Sequence, residues 1–467
     1  MSFHMRVALA FFVLAALAFA QGNAVPYIDQ PTVPDAVPPG NPAFVITVHG
    51  SGFASTAKVF WNGNPRNTHF LTSSLLRAQI TAADVGTGQT AAITVRNPTP
   101  GGGVSNTVYF QVRRAKPSIA FNNASYGVGQ EPFEITSADF NGDSNQDLAV
   151  ANVSGDNVSI LLGKANGTFN SSTEYPAGPF PVALVAGDFN HDHLMDLAVA
   201  NGGNASNGKP GTVSVLLTKK GGGFESPITT PCGTGPIAIV AGDFNGDGRL
   251  DIGVADYNLS FGNTVAVLLG RGDGTFKNFV TYQTGAAPEG LATADVNGDG
   301  ILDLVTANEV DDTVSVLLGN GDGTFQGNLN YAVGGAPIAV AIADVNRDNK
   351  PDLAVANLTG DSVSVLLGNA DGTFQAHVDY PVSEGPVAVT IADFNGDNRQ
   401  DLAVVDETAG SVSLLLGKGD GTFHPAADSF AGSEPQGVTF ADFNHDGRLD
   451  LATVNVFSNI VEVLLQK

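Results

Sequence analysis

The stretch Asp393-Phe-Asn-Gly-Asp397-Asn-Arg-Gln-Asp401 runs straight into the apolar segment Leu402-Ala-Val-Val405. Asp, Asn and Gly crowded into nine residues make a turn, and a short Leu/Val run bounded by turn residues makes a strand. The same frame, Asp-x-Asn-x-Asp-x-x-x-Asp, opens at Asp139, Asp188, Asp243, Asp295, Asp344, Asp393 and Asp442. Successive openings lie 49, 55, 52, 49, 49 and 49 residues apart. A period of this length marks a solenoid, an array or a propeller.

Each unit reads as four strands. In the fifth, Ala339–Ala343 and Asp352–Asn357 flank the acidic turn, Ser362–Leu367 follows, and the turn Asp371-Gly-Thr-Phe374 leads into a last strand. The strand runs are apolar on both faces, as sheets stacked between neighbours require. Seven such units predict an all-β chain folded as a seven-bladed β-propeller over residues 117–467. The last unit ends after its third strand, and the segment 118–129 resembles the fourth strand of a standard unit (Tyr126-Gly-Val-Gly129 beside Tyr331-Ala-Val-Gly334). The amino end of this region is therefore expected to complete the last blade and close the ring.

The acidic turn is expected to bind a cation. Its candidate ligands are Asp139, Asn141, Asp143 and Asp147; Asp188, Asn190, Asp192 and Asp196; Asp243, Asn245, Asp247 and Asp251; Asp295, Asn297, Asp299 and Asp303; Asp344, Asn346, Asp348 and Asp352; Asp393, Asn395, Asp397 and Asp401; and Asp442, Asn444, Asp446 and Asp450. Only oxygens occupy these positions, which excludes soft-metal sites and suits Ca²⁺, a hard ion that accepts six to eight flexible oxygen ligands. Up to seven ions are expected, one per blade. Position 6 is Gly in Gly248, Gly300 and Gly447 and Asn in Asn349 and Asn398, residues that tolerate a left-handed backbone. Ser144 and His193 hold it in the first two copies, where weaker sites are expected. The competing reading is a set of Asx-turns that simply cap hairpins.

Composition agrees. With 57 Gly, 25 Pro and 14% charged residues among 467, the chain is not built for helices, while 43% hydrophobic residues can form cores. Residues 21–116 carry 7 Lys/Arg against 3 Asp/Glu (+4), and residues 117–467 carry 13 against 43 (−30). That charge repels nucleic acid and anionic membranes and attracts cations. Arg6 followed by the apolar run Val7–Ala20, ending in Ala18-Phe19-Ala20, has the form of a secretory signal over residues 1–20 and is too short to span a bilayer. A secreted monomer without a transmembrane anchor is expected. Cys232 stands alone, so no internal disulfide is available.

Residues 117–467 resemble the FG-GAP/VCBS-type repeats of integrin-alpha-like propellers, through the acidic turns, the "DLAVAN" and "SVSVLLG" strands, and "GDGTF" at Gly272–Phe276, Gly321–Phe325 and Gly419–Phe423. The resemblance implies calcium held in the loop joining the first two strands of each blade. Departures are Gly221-Gly-Gly-Phe224 and Ala165-Asn-Gly-Thr-Phe169. Residues 26–113 resemble an IPT/TIG domain, an immunoglobulin-like β-sandwich, through Val48-His-Gly-Ser-Gly-Phe53, Val59-Phe-Trp-Asn-Gly63, Ile93-Thr-Val-Arg-Asn-Pro98 and Gly101-Gly-Gly-Val-Ser-Asn106. Arg113-Arg-Ala-Lys-Pro117 reads as a short linker; a solvated one is the leading reading, and docking of its basic charge on the acidic propeller is the alternative.

Length variation falls in one class of loop, between the second and third strands of the second and third units. Insertions confined to one loop class mark one face, often a binding face, and this one lies opposite the acidic turns. Asn201, Asn204, Asn207, Tyr257 and Phe261 are the candidate ligand contacts there. Arg271-Gly-Asp273 lies in a recurring hairpin turn, His191 and His193 fall between ligand positions, and Cys232 lacks a nearby base, so none is assigned a role. No catalytic motif stands out. The leading expectation is a secreted calcium-binding adhesion or binding module for a glycan or protein ligand. A polysaccharide-active enzyme or a lectin on the same scaffold is the alternative.

Overall fold

The computed structural model describes residues 22–116, 118–203, 210–257 and 262–467. The proposed signal segment lies outside them. Every regular element among the described residues is a strand, and no helix there is long and apolar enough to cross a membrane.

The amino-terminal strands form two facing sheets. One orders Tyr27–Ile28, Phe44–Ser51, Leu75–Ile80 and Asn67–Thr72; the other orders Ala36–Val37, Val108–Val112, Gln89–Asn97, Lys58–Trp61 and Asn64–Pro65, with Gly103–Val104 beside Gln89–Asn97. Alternate residues of Gln89–Asn97 point inward, the period-2 signature of a strand with one face in a core. Ile46, Trp61, Leu76, Ile93 and Phe110 fill that core, with the Trp61 and Phe110 rings 5.0 Å apart.

Seven four-stranded antiparallel sheets follow. Blade one is Pro132–Ala138, Asp147–Asn152, Asn157–Leu161 and Thr173–Pro176, and the pattern recurs to blade six, Pro386–Ala392, Asp401–Asp406, Ser411–Leu415 and Ala427–Phe430. Blade seven takes Pro435–Ala441, Asp450–Asn455 and Ile460–Gln466 from the end of the chain and Phe121–Gly127 from before blade one. Phe121 pairs with Gln466 and Gly127 with Ile460, so the two ends of the propeller region share one sheet. First strands of consecutive blades touch all round, including Pro132–Ala138 against Pro435–Ala441, and the ring is closed.

Stacking explains the apolar runs. Every residue of Asp147–Asn152 and of its six equivalents is buried, because both sheet faces meet a neighbouring blade. The hydrophobic clusters accordingly straddle blade pairs, as where Leu353 and Val355 join Val305 and Val314. A fourth-strand Tyr meets the turn Phe of the next blade edge-on: Tyr175 with Phe224, Tyr282 with Phe325, Tyr331 with Phe374, and Tyr380 with Phe423, at 5.2–5.6 Å. Tyr126 and Phe169 repeat the contact at 5.4 Å across the closing seam.

The sandwich sits on the acidic-turn face of the ring. The Val25 amide donates to Asp243 Oδ2 (2.9 Å), the Asp35 amide to Asn398 Oδ1 (2.7 Å) and the Lys116 amide to the Asn395 carbonyl (2.9 Å). Arg113 is buried, its guanidinium donating to the Phe394 carbonyl and to Gln466 Oε1. The solvated-linker expectation is therefore corrected: the basic segment is drawn into the acidic end of the propeller, where buried carbonyls supply acceptors for its donors.

Candidate functional site

Each acidic turn repeats one hydrogen-bond pattern. The position-1 carboxylate accepts the position-5 amide at 3.0–3.1 Å and the position-6 amide at 2.6–3.0 Å, and the position-3 carboxamide oxygen accepts the position-5 amide at 2.8–2.9 Å. These are Asx-turn bonds. Positions 4 and 6 are left-handed in all seven turns, from His445 (φ 56°) to Gly300 (φ 87°). Ser144 (φ 72°) and His193 (φ 69°) adopt the same backbone as the glycines, so position 6 does not set the first two turns apart in shape.

Position 9 has a second task. In every turn its Oδ2 accepts the position-2 amide at 2.9–3.0 Å, and its Oδ1 accepts, at 2.7–2.8 Å, the amide of a residue just past the third strand (Gly163, Thr218, Gly270, Gly319, Gly368, Gly417 or Gln466). This aspartate staples three segments of one blade. Burial pushes it up from the ordinary 3.8, to about 7 for Asp147, Asp196 and Asp352 and about 8 for Asp251, Asp303 and Asp450; Asp401 is also raised well above its ordinary value. The nearby position-1 and position-5 carboxylates add to the rise.

As the side chains stand, no group of three or more His, Cys, Asp or Glu among the described residues converges on a point that could hold a metal ion. The donor chemistry nonetheless fits a hard cation. Positions 1, 3 and 5 supply oxygen acceptors; Asp139, Asp295 and Asp393 Oδ1 each already accept two amides, whereas Asp397 Oδ1 is buried without a hydrogen-bond partner. Opposing charge is sparse: Arg249, Lys350, Arg399 and Arg448 reach the position-5 carboxylate of their own turns at 2.7–3.7 Å.

The opposite face holds a feature that the sequence reading missed. A cavity of about 210 Å³ opens where the seven first strands begin, lined by Glu134, Glu289 and Gln436 among small and apolar residues. A register shift just after the leading proline of each first strand turns these side chains toward the axis. Burial pushes Glu134 up to about 7 and Glu289 to about 8, and Glu309 and Glu407 add to the latter. The signal was present: Glu289 and Gln436, one residue after their prolines, and Glu134, two residues after its own, stand at two positions filled by apolar residues in Pro181-Val-Ala183 and Pro337-Ile-Ala339.

Of the proposed ligand contacts, Tyr257 is half-buried on this face, its hydroxyl donating to Glu309 Oε2 at 2.8 Å. Asn201 is fully buried, with Nδ2 donating to Ser214 Oγ (2.9 Å) and Thr212 Oγ1 (3.2 Å). It ties the second strand to the third, as Asn152 does to Ser159 and Asn357 to Ser364, and is corrected from ligand contact to blade interior. Asn204, Asn207 and Phe261 lie outside the described residues. Asp273 of the Arg-Gly-Asp tripeptide binds its own turn through the Thr275 hydroxyl (2.6 Å), and Cys232 is buried, its thiol pushed up to about 12.

No curated protein matches the chain. Among solved structures, it is similar to the periplasmic gluconolactonase PpgL of Pseudomonas aeruginosa, with 14% identity, coverage of 75% of this chain and 94% of that one, and a TM-score of 0.48. An auxiliary nutrient binding protein from Bacteroides ovatus ATCC 8483 shares 10% identity, with coverage of 95% and 98% and a TM-score of 0.42. A functionally unknown protein from Desulfotomaculum acetoxidans shares 12%, with coverage of 73% and 96% and a TM-score of 0.45. Residues 31–112 match the IPT/TIG domain. Residues 139–199, 203–254, 243–306, 295–355, 344–404 and 393–453 match the FG-GAP-like repeat, and with the acidic turns in register around a closed ring, the chain belongs to the FG-GAP-like repeat family.

Proposed function

We propose that this protein is a secreted, calcium-loaded β-propeller acting as an extracellular binding module for a glycan or protein ligand. The observation that carries the reading is the division between the two ends of the ring. One end bears seven oxygen-rich turns and the docked sandwich; the other has Tyr257 and a channel mouth lined by Glu134 and Glu289. Ca²⁺ would be held by positions 1, 3 and 5 of each turn, with the spare lone pairs of position 9 beneath. When bound it supplies the positive charge that three carboxylates per turn otherwise lack. The ligand would meet the end that bears Tyr257. A glycan and matrix-protein array probed with calcium and with chelator tests this: calcium-dependent binding to one ligand class, weakened tenfold or more by Tyr257→Ala, is expected. Binding unaltered by chelator would overturn the calcium part, and no binding in either condition would overturn the binding-module part.

A second reading, a polysaccharide-active enzyme, is favoured by Glu134 and Glu289 alone. Two carboxyls that hold protons near neutral pH in a cavity are suited to general-acid work. Release of reducing sugar from a polysaccharide panel, abolished in Glu134→Gln or Glu289→Gln, would establish it.

A further inference from the structure

Residues 21–116 carry three acidic residues and seven basic ones, yet two of the three acids are presented to the acidic turns. Asp84 is paired with Arg66 at 2.6 Å. Asp29 lies beside Asp295 and Asp303 of the fourth turn, its Oδ1 buried without a partner. Asp35, 5% exposed, lies beside Asp393 of the sixth. Like charges in a dry interface repel strongly unless something positive stands between them.

The surroundings of Asp35 show where that charge belongs. Its Oδ2 accepts Gln400 Nε2 at 2.5 Å, and Gln111 of the sandwich donates to the Asp393 carbonyl. Both amides leave their Oε1 buried and unpartnered, in side chains only 5% and 1% exposed. Asp35, Asp393, Gln111 and Gln400 all line one cavity of about 580 Å³ between the sandwich and the channel. The sixth turn also departs from its siblings. In the other six, the position-7 amide donates to the position-5 carboxylate at 2.8–3.0 Å; here Asp397 Oδ1 has no partner. Of the nearby guanidiniums, Arg113 hydrogen-bonds the Phe394 carbonyl and Gln466 and its charge favours the ionised form of Asp393, while Asp35 itself is opposed only by the weak influence of Arg347.

We propose that Asp35 and Gln111 of the sandwich, with Asp393 and Gln400 of the sixth turn, form an interdomain site for a divalent cation that locks the sandwich onto the propeller. The proposal rests on the calcium reading of the turns but assigns ligands outside their repeated frame. At the fourth turn Asp29 likewise lies beside Asp295 and Asp303, but Leu302 stands where the sixth turn has Gln400.

The test is calcium titration by calorimetry, paired with hydrogen exchange of the purified protein in calcium and in chelator. The Asp35 and Ala36 amides, which donate to Asn398 Oδ1, report docking. Their exchange is expected to rise at least tenfold in chelator. Asp35→Asn, which keeps the shape and removes the charge, is expected to weaken one calcium site at least tenfold and to make docking independent of calcium. Asp143→Asn, in the first turn, is expected to weaken one site without changing exchange at residues 35 and 36. If the protein binds calcium but Asp35→Asn leaves every site intact, or the wild-type amides exchange equally in both conditions, the interdomain site is overturned while the turns keep their ions. If no calcium binds anywhere, both readings fall. The wild-type exchange comparison needs no variant, so a misfolded Asp35→Asn would not rescue the idea.

Discussion

The carboxylate of Asp450 accepts the backbone amide of Gln466 at 2.7 Å, sixteen residues away, while its other oxygen holds the amide of Phe443 at 3.0 Å. The same double acceptance recurs at position 9 of every blade, and it ranks the aspartates of a turn by structural weight. Asp303→Ala would strand two buried amides, each costing about 1–3 kcal/mol. Asp143→Ala, on an exposed carboxylate, should cost under about 1 kcal/mol in chelator. Denaturant unfolding of the two variants in chelator checks the ordering; equal losses would mean that position 9 is not the staple.

Calcium should stabilise the fold by mass action. For affinities of ~0.1–1 mM in millimolar calcium, each site contributes about 0.4–1.4 kcal/mol, or about 3–10 kcal/mol over seven. A melting curve should therefore move up by several degrees between chelator and a few millimolar calcium, and magnesium at equal concentration should do much less. Superimposed curves in calcium and chelator would rule the contribution out.

The ring was legible because its signal is repeated seven times, so that Asp344-Val-Asn-Arg-Asp348 and Asp393-Phe-Asn-Gly-Asp397 confirm one another despite their differences. The second role of position 9 was not, since an aspartate reads the same whether it faces an ion or two amides. Asn201 was misread because it flanks an insertion, although its equivalents Asn152 and Asn357 already mark the end of a buried strand. Docking of the sandwich left no periodic trace at all: Asp29, Asp35 and Arg113 are single residues whose partners lie hundreds of positions away. The left-handed backbone at position 4 was hidden where Arg347 and His191 replace glycine.

Two glycines of the third turn separate turn strain from docking. Gly246 (φ 69°) and Gly248 (φ 83°) are both left-handed, so Ala at either should cost about 1 kcal/mol through the backbone. A Cβ at Gly246 meets nothing within 4 Å, whereas one at Gly248 would lie 2.3 Å from the Asn23 carbonyl oxygen of the sandwich. Gly248→Ala should therefore loosen the docked sandwich, seen as faster proteolysis of the residues joining the two domains, and Gly246→Ala should not. Equal proteolysis of the two variants would argue against the docked arrangement.

The channel mouth should make stability fall as pH rises. Glu289 ordinarily titrates at 4.5 and is raised to about 8 by burial, with Glu309 and Glu407 pushing the same way. Between those values the folded protein holds a proton that the unfolded chain has released, so folding takes up a proton and stability declines with increasing pH. Below 4.5 both states are protonated and the penalty is absent; above about 8 both are ionised and it is complete. A rise from 4.5 to about 8 corresponds to roughly 5 kcal/mol. Glu289→Gln, neutral at every pH, should match the wild type near pH 4.5 and exceed it by roughly that amount at pH 8.5. Glu134, raised to about 7, should add a smaller decline ending lower. Denaturant midpoints at the two pH values decide it: if Glu289→Gln keeps the wild-type slope between them, Glu289 is not holding the proton, and the general-acid reading of the mouth loses one of its two carboxyls.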